Sequence, residues 1–178
     1  DRYIQSEHLV RADQDRNFTF REAFDLKRAA YVPLSDSTMR ELQVPVDGPY
    51  GVGLDARPYI SDWKPATADF YRVDLATGAR TLMFKDQLTQ GATFGLSPDG
   101  RKFLYWKDGK FQAYELDAGT TTTLGAGAPS FVDTTFDHPG PKPPWGVGGF
   151  TADGKSVIVE DRYDLWTLPL DGGQAHDI

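Results

Sequence analysis

The sequence predicts an all-β fold made of repeated four-stranded antiparallel sheets, and two observations predict it. Eighteen glycines and twelve prolines in 178 residues crowd the chain with turn-formers, and aromatic content is 13%, a balance that suits many short strands. An eleven-residue pattern also recurs four times without gaps: Phe24–Leu34, Val73–Met83, Tyr114–Leu124 and Leu168–Ile178. Each copy has an apolar residue first, leucine third and an apolar residue last. Glycine stands sixth in three copies (Gly78, Gly119, Gly173) and Ala29 in the other.

The pattern has a simple physical reading. A strand ends, a small residue takes a positive-φ turn position, and a second strand returns. The copies start 49, 41 and 54 residues apart, the spacing of propeller blades, and a single β-sandwich gives no reason for the recurrence. A second element precedes two of the copies. Ser97-Pro98-Asp99-Gly100 leads into Arg101–Trp106, and Thr151-Ala152-Asp153-Gly154 into Lys155–Glu160; both read as a turn followed by a β-rich run.

One blade can be drawn whole, with strands at Thr93–Leu96, Arg101–Trp106, Phe111–Leu116 and Thr120–Leu124. The last blade repeats this from Gly146 to Ile178, and another runs from about Tyr50 to Phe84 with an insert at Trp63–Ala68. The prediction is a β-propeller fragment of about four blades, the first incomplete. Its divisions are a partial blade over 1–42, blades over 43–88, 89–126 and 145–178, and a Pro/Gly-rich connector over 127–144. Ser6–Arg16 reads as a short helix or a crossing loop.

The bulk chemistry excludes several classes. A net charge of −7 and a pI near 4.9 leave no basic stripe for nucleic acid. The absence of cysteine removes thiol nucleophiles, disulfides and thiolate-ligated zinc. No apolar run is long enough to span a membrane, and Asp1–Gln5 carries charge where an apolar leader is required.

Three further patterns imitate known sites. Asp13-x-Asp15-x-Asn17 opens like a calcium loop, but Phe18 and Phe24 occupy the glycine and glutamate positions. Gly51-Val52-Gly53-Leu54-Asp55-Ala56 spells a dinucleotide fingerprint, yet Tyr59-Ile60 reads as strand where a helix is required. Glu160, Asp161 and Asp164 read as a solvated hairpin turn. No catalytic, cofactor or metal residue is assigned, and no cofactor is expected. The best candidate site is the irregular stretch 125–144, where Asp133, Asp137 and His138 form a substrate- or partner-facing loop.

Taken together, SPDGRKFLYWKDGKFQAYELDAG, the connector DHPGPKPPW and the run DRYDLW resemble the propeller of bacterial prolyl oligopeptidase-family (dipeptidyl peptidase IV-like) serine peptidases. The resemblance covers nearly the whole chain from about Gln14. It implies a parent protein whose propeller covers an α/β-hydrolase domain and admits peptide substrates by size, in a secreted or periplasmic bacterial setting. The propeller segment itself would be non-catalytic. The nucleophile elbow needs Gly-x-Ser-x-Gly, and Gly95-Leu96-Ser97-Pro98-Asp99-Gly100 has the wrong spacing, so peptidase activity is not carried over to these residues. The alternative is a stand-alone TolB-like propeller that binds a protein or a glycan. In either case four blades leave two open faces, and association of two copies through them is a further expectation.

Overall fold

A computed structural model describes Ala12, residues 15–61 and residues 63–178. Most of Ser6–Arg16, including Asp13 of the calcium-like pattern, lies outside the described residues. Among the described residues the regular structure is nearly all strand, in four antiparallel sheets. The first holds only β1 (Glu22–Asp25) and β2 (Ala30–Pro33). The second runs β3 (Glu41–Gln43), β4 (Tyr50–Asp55), β5 (Thr67–Asp74) and β6 (Arg80–Leu88). The third runs β7 (Thr93–Leu96), β8 (Lys102–Lys107), β9 (Lys110–Glu115) and β10 (Thr120–Thr123). The fourth runs β11 (Gly146–Phe150), β12 (Ser156–Glu160), β13 (Leu165–Pro169) and β14 (His176–Asp177). Each four-stranded sheet is a meander in chain order, and the set is a partial β-propeller.

The strand sequences explain why the sheets stack. In β8 four consecutive residues are buried, and they alternate between two cores. Phe103 and Tyr105 join Val52, Phe70 and Tyr114 against the second blade. Leu104 and Trp106 join Phe111, Val157, Val159 and Leu168 against the fourth. A strand apolar in both phases has no face for water, so each of its faces needs another sheet. The junction between the second and third blades is aromatic, with Phe84 stacked on Tyr105 at 4.4 Å and Phe70 5.6 Å from Phe103. A smaller core of Val32, Leu34, Met39, Leu42 and Val73 joins the first blade to the second.

Glycine marks the points of closest approach. A Cβ on Gly53 would lie 2.3 Å from the sulfur of buried Met39, so the fingerprint-like Gly51-x-Gly53 is the seat of a core methionine on β4. The segment after it is a 3-10 turn, Arg57–Tyr59, not the strand expected at Tyr59-Ile60; Pro58 inside it removes a ladder donor. A Cβ on Gly100 would meet the Asp47 carbonyl oxygen at 2.1 Å. That contact exposes a third copy of the inner turn, Pro45-Val46-Asp47-Gly48, lying under Ser97–Gly100, while a Cβ on Gly154 of the last copy would lie 3.6 Å from Pro98.

The repeated outer turn is less uniform than its letters. Gly78 and Gly119 take positive φ and donate to the carbonyls of Asp74 and Glu115. In the fourth copy the positive φ falls on Gly172, which donates to Pro169 one residue closer; Gly173 is not the left-handed residue. In the first copy Ala29 holds φ +50°.

These turns give two expected outcomes. Gly100→Ala combines an L residue at φ +68° with a backbone clash and should cost about 2–4 kcal/mol, read from the urea midpoint. Ala29→Gly should instead gain about 0.5–1 kcal/mol by relieving the left-handed penalty.

Candidate functional site

The two ends of the inner strands are built differently. At one end the turns β3–β4, β7–β8 and β11–β12 press on each other through the glycine contacts above. In the last two the aspartate is used inside the turn: Asp99 accepts from the Ser97 hydroxyl at 2.6 Å, and Asp153 from that of Thr151 at 2.6 Å. At the other end gather the excursion between β4 and β5 (residues 56–66), the link between β6 and β7 (89–92), the turn between β8 and β9, and the connector before β11.

The connector leaves and returns at a closed base. Val132 pairs with Pro144, and the Asp133 amide donates to the Pro143 carbonyl at 2.9 Å. Trp106 ties it to the third blade, its indole Nε1 donating to the Lys142 carbonyl at 2.9 Å. The backbone of the same tryptophan is fixed twice more. Its amide donates to the Ala92 carbonyl at 2.8 Å. Its carbonyl accepts from buried Gln87 Nε2 at 2.9 Å, and that amide also reaches the carbonyl of Ala92. Such a satisfied buried amide holds a loop in one conformation.

Between these segments lies a cleft of ≈ 350 Å³, floored by Trp106 and Leu88 and walled by Pro65, Phe136, Pro139 and Pro141. Two adjoining hollows of ≈ 440 and ≈ 460 Å³ share Leu88 and Pro141 with it. The 56–66 wall is anchored by Tyr59, whose hydroxyl donates to Asp69 at 2.5 Å. Asp69 is buried and also accepts from the Asp86 amide. The bond to that carboxylate, with burial added, pushes the Tyr59 pKa up to about 12, so the phenol stays a donor across the ordinary pH range. Trp63 stands 94% exposed on the same wall.

The sequence candidates fall along the connector. Asp133 sits at its base and accepts from the Thr135 hydroxyl at 2.6 Å and the Thr135 amide at 2.8 Å, which hold its carboxyl below the usual range. Asp137 and His138 lie on the exposed rim, with Nε2 and Oδ1 3.8 Å apart and the His138 ring edge-on to Phe136 at 5.2 Å. An exposed pair of this kind is weak; it offers polar contacts to an incoming surface. Asp133 is turned to its own loop and makes no hydrogen bond to His138. The cleft's floor and proline walls were not singled out from sequence. The signal for them is the density of proline between Pro139 and Pro144, together with a tryptophan that ends the apolar run Phe103–Trp106 of a strand.

A second, more polar space of ≈ 1070 Å³ lies along the inner strands, lined by Phe18, Arg21, Arg40, Glu41, Gln43 and Gly95 among others. Gln43 lies directly over Gly95, where a Cβ would meet its amide at 3.0 Å. Arg40 pairs with Asp15 and lies 5.0 Å from the centre of the Phe18 ring. Among the described residues no cluster of His, Asp and Glu has a metal-holding arrangement, and no helix is long and apolar enough to cross a membrane.

In the acidic turn of the last blade Asp161 takes the structural share. The Tyr163 amide (2.7 Å), the Asp164 amide (2.8 Å) and the Trp166 indole (3.0 Å) all donate to it, and the Tyr163 amide foremost holds its pKa below the usual carboxylate range. A depressed folded-state pKa gives stability that is complete above the unfolded value and lost as pH falls through the folded one. The urea midpoint should therefore drop below about pH 4, and less steeply in Asp161→Asn than in the unaltered chain.

No family model matches the sequence, and no curated protein matches it. Among solved structures the chain is similar to a protein described as a TolB of Agrobacterium tumefaciens, at 16% identity and a TM-score of 0.47, covering 84% of this chain and 50% of that one. It is also similar to TolB of Acinetobacter baumannii, at 13% identity and a TM-score of 0.37, covering 88% and 47%. The chain thus spans about half the length of each.

Proposed function

We propose that the chain is a binding segment of a β-propeller and that it takes a protein partner on the end formed by residues 56–66 and 133–143. The observation that carries this reading is the contrast between the ends. One is a stack of turns locked together through glycine. The other holds an apolar cleft of proline and aromatic side chains on braced walls, and Trp63 and, on the β12–β13 turn of the same end, Tyr163 are exposed at 94% and 78%. Rigid aromatic and proline surfaces lose little entropy on contact, which suits them to anchoring a partner. Asp137 and His138 supply the polar rim that such interfaces carry.

A finer reading follows from the resemblance to prolyl oligopeptidases. There the partner is an α/β-hydrolase domain, and the space along the inner strands passes peptides toward it. The polar lining of that space, with Arg40, Glu41 and Gln43, supports the second reading. A hydrolase domain with a Gly-x-Ser-x-Gly elbow encoded in the same polypeptide would favour it; an independent partner gene would favour the broader one.

The test compares proteins retained from an extract of the source organism by three immobilised forms of the chain. The unaltered chain and Asp117→Ala, on the opposite end, should retain the same partner. Trp63→Ala combined with Phe136→Ala should reduce it at least tenfold. Equal retention by all three forms overturns the proposal, as does saturable glycan binding that Trp63→Ala abolishes.

A further inference from the structure

Five Asp-Gly steps stand in the chain: Asp47-Gly48, Asp99-Gly100, Asp108-Gly109, Asp153-Gly154 and Asp171-Gly172. This dipeptide carries a chemistry of its own. The glycine nitrogen is one five-membered ring closure away from the aspartate Cγ, and no Cβ shields it. When it attacks, an N–Cγ bond forms, the Cγ–OH bond breaks, and the amide proton leaves with the hydroxyl as water. Water then adds to the main-chain carbonyl of the imide and breaks that carbon's bond to nitrogen. The chain now continues through Cβ and Cγ, as isoaspartate. One water leaves and one returns, so the conversion needs no oxidant and no co-reactant.

Closure in a folded chain requires a carboxyl not held elsewhere, a glycine amide not donating elsewhere, and room for their peptide to turn. Three of the five steps lack the first two. Asp99 accepts from the Ser97 hydroxyl at 2.6 Å and the Arg101 amide at 3.1 Å. Asp153 accepts from the Thr151 hydroxyl at 2.6 Å and the Lys155 amide at 3.1 Å, and Asp171 from the Gly173 amide at 2.9 Å. The glycine amides of these steps donate to Ser97 and Thr151 at 2.8 Å and to Pro169 at 3.1 Å. Asp47-Gly48 lacks the third. Its peptide is wedged under the next inner turn, where a Cβ on Gly100 would lie 2.1 Å from the Asp47 carbonyl oxygen.

Asp108-Gly109 meets all three requirements. Asp108 is exposed, and among the described residues neither its carboxylate nor the Gly109 N–H has a hydrogen-bond partner. The one atom near a Cβ on Gly109 would be Val132 Cγ2, at 3.4 Å, the end of a side chain. We infer that Asp108-Gly109 is the site of isoaspartate formation in this protein. The product adds one main-chain carbon to a two-residue loop, in which Asp108 and Gly109 hold φ +51° and +73° and close the Lys107–Lys110 pair. Such a loop matches the twist of its strands at that length alone, so the pair opens beside Trp106, the residue that ties the connector to the third blade. The site does not depend on the function given for the cleft end.

The test keeps the whole chain in warm neutral buffer for weeks, with a parallel sample in urea, and locates isoaspartate by peptide mapping with electron-transfer fragmentation. In urea the five steps should convert at comparable rates. In the folded chain Asp108 should convert at least tenfold faster than each of the other four. Asparagine suits a left-handed position and closes the same ring with loss of ammonia. Folded Asp108→Asn should therefore deamidate at least tenfold faster than folded Asp153→Asn. Equal rates at the five steps of the folded chain overturn the inference, as does faster conversion at Asp47. So does a folded chain that stays unconverted at Asp108 while the sample in urea converts there.

Discussion

Everything in this structure follows from sheets that must bury two faces. Phe103, Leu104, Tyr105 and Trp106 follow one another in β8 and are 3%, 1%, 4% and 3% exposed. At about 1.5–3 kcal/mol for each fully buried side chain, leaving either phase of this strand in water would forfeit several kcal/mol, comparable with the whole stability of a small domain. A sheet with one wet face cannot accommodate such a strand. Stacking on both sides can, and the packing repeats at β5, where Ala68 and Phe70 face forward and Tyr71 and Val73 face back.

Stacking at that distance in turn decides where side chains are forbidden. Gly53 receives Met39, Gly78 comes within reach of the Pro33 carbonyl, and Gly100 lies against Asp47. Gly78 and Gly100, and the pair that imitates a nucleotide-binding motif, thus answer to close packing, whereas Gly119 answers to its positive φ. Their recurrence carries information about packing and none about chemistry.

This explains how much was legible in the sequence. The turns at Ser97–Gly100 and Thr151–Gly154, and the strands after them, have local signatures, because the turn chemistry and the two-phase apolar run lie within ten residues. The third inner turn was hidden because Pro45-Val46 stands where the others carry Ser-Pro or Thr-Ala. Its inner strand, Glu41–Gln43, is short, with both flanking side chains exposed. The shift of positive φ from Gly173 to Gly172 could not be read from a pair of adjacent glycines. The cleft left no local trace, since Pro65, Trp106, Phe136 and Pro141 meet only after three blades have stacked. Asp133, Asp137 and His138 were recognisable as belonging to a long loop, but the partition between one side chain spent on Thr135 and two left on the rim is a property of the folded connector.

The division between the two ends also says where such a fold can change. A residue inserted into the β7–β8 turn has to pass between Pro45 and Gly154, both already in contact with it. A residue inserted at the tip of 133–143 meets solvent, because the base is closed by the Val132–Pro144 bridge and the Trp106–Lys142 bond. Lengthening a loop whose ends are already fixed costs only about 0.6 kcal/mol for each doubling. The β4–β5 excursion is pinned in the same way, with Thr89 donating to the Ala66 carbonyl through both its amide and its hydroxyl. Changes of loop length are therefore tolerated best at the end where the stack is indifferent to them. Because the connector is tied to Trp106, a residue of the blade core, the base of that surface is fixed by the stack beneath it.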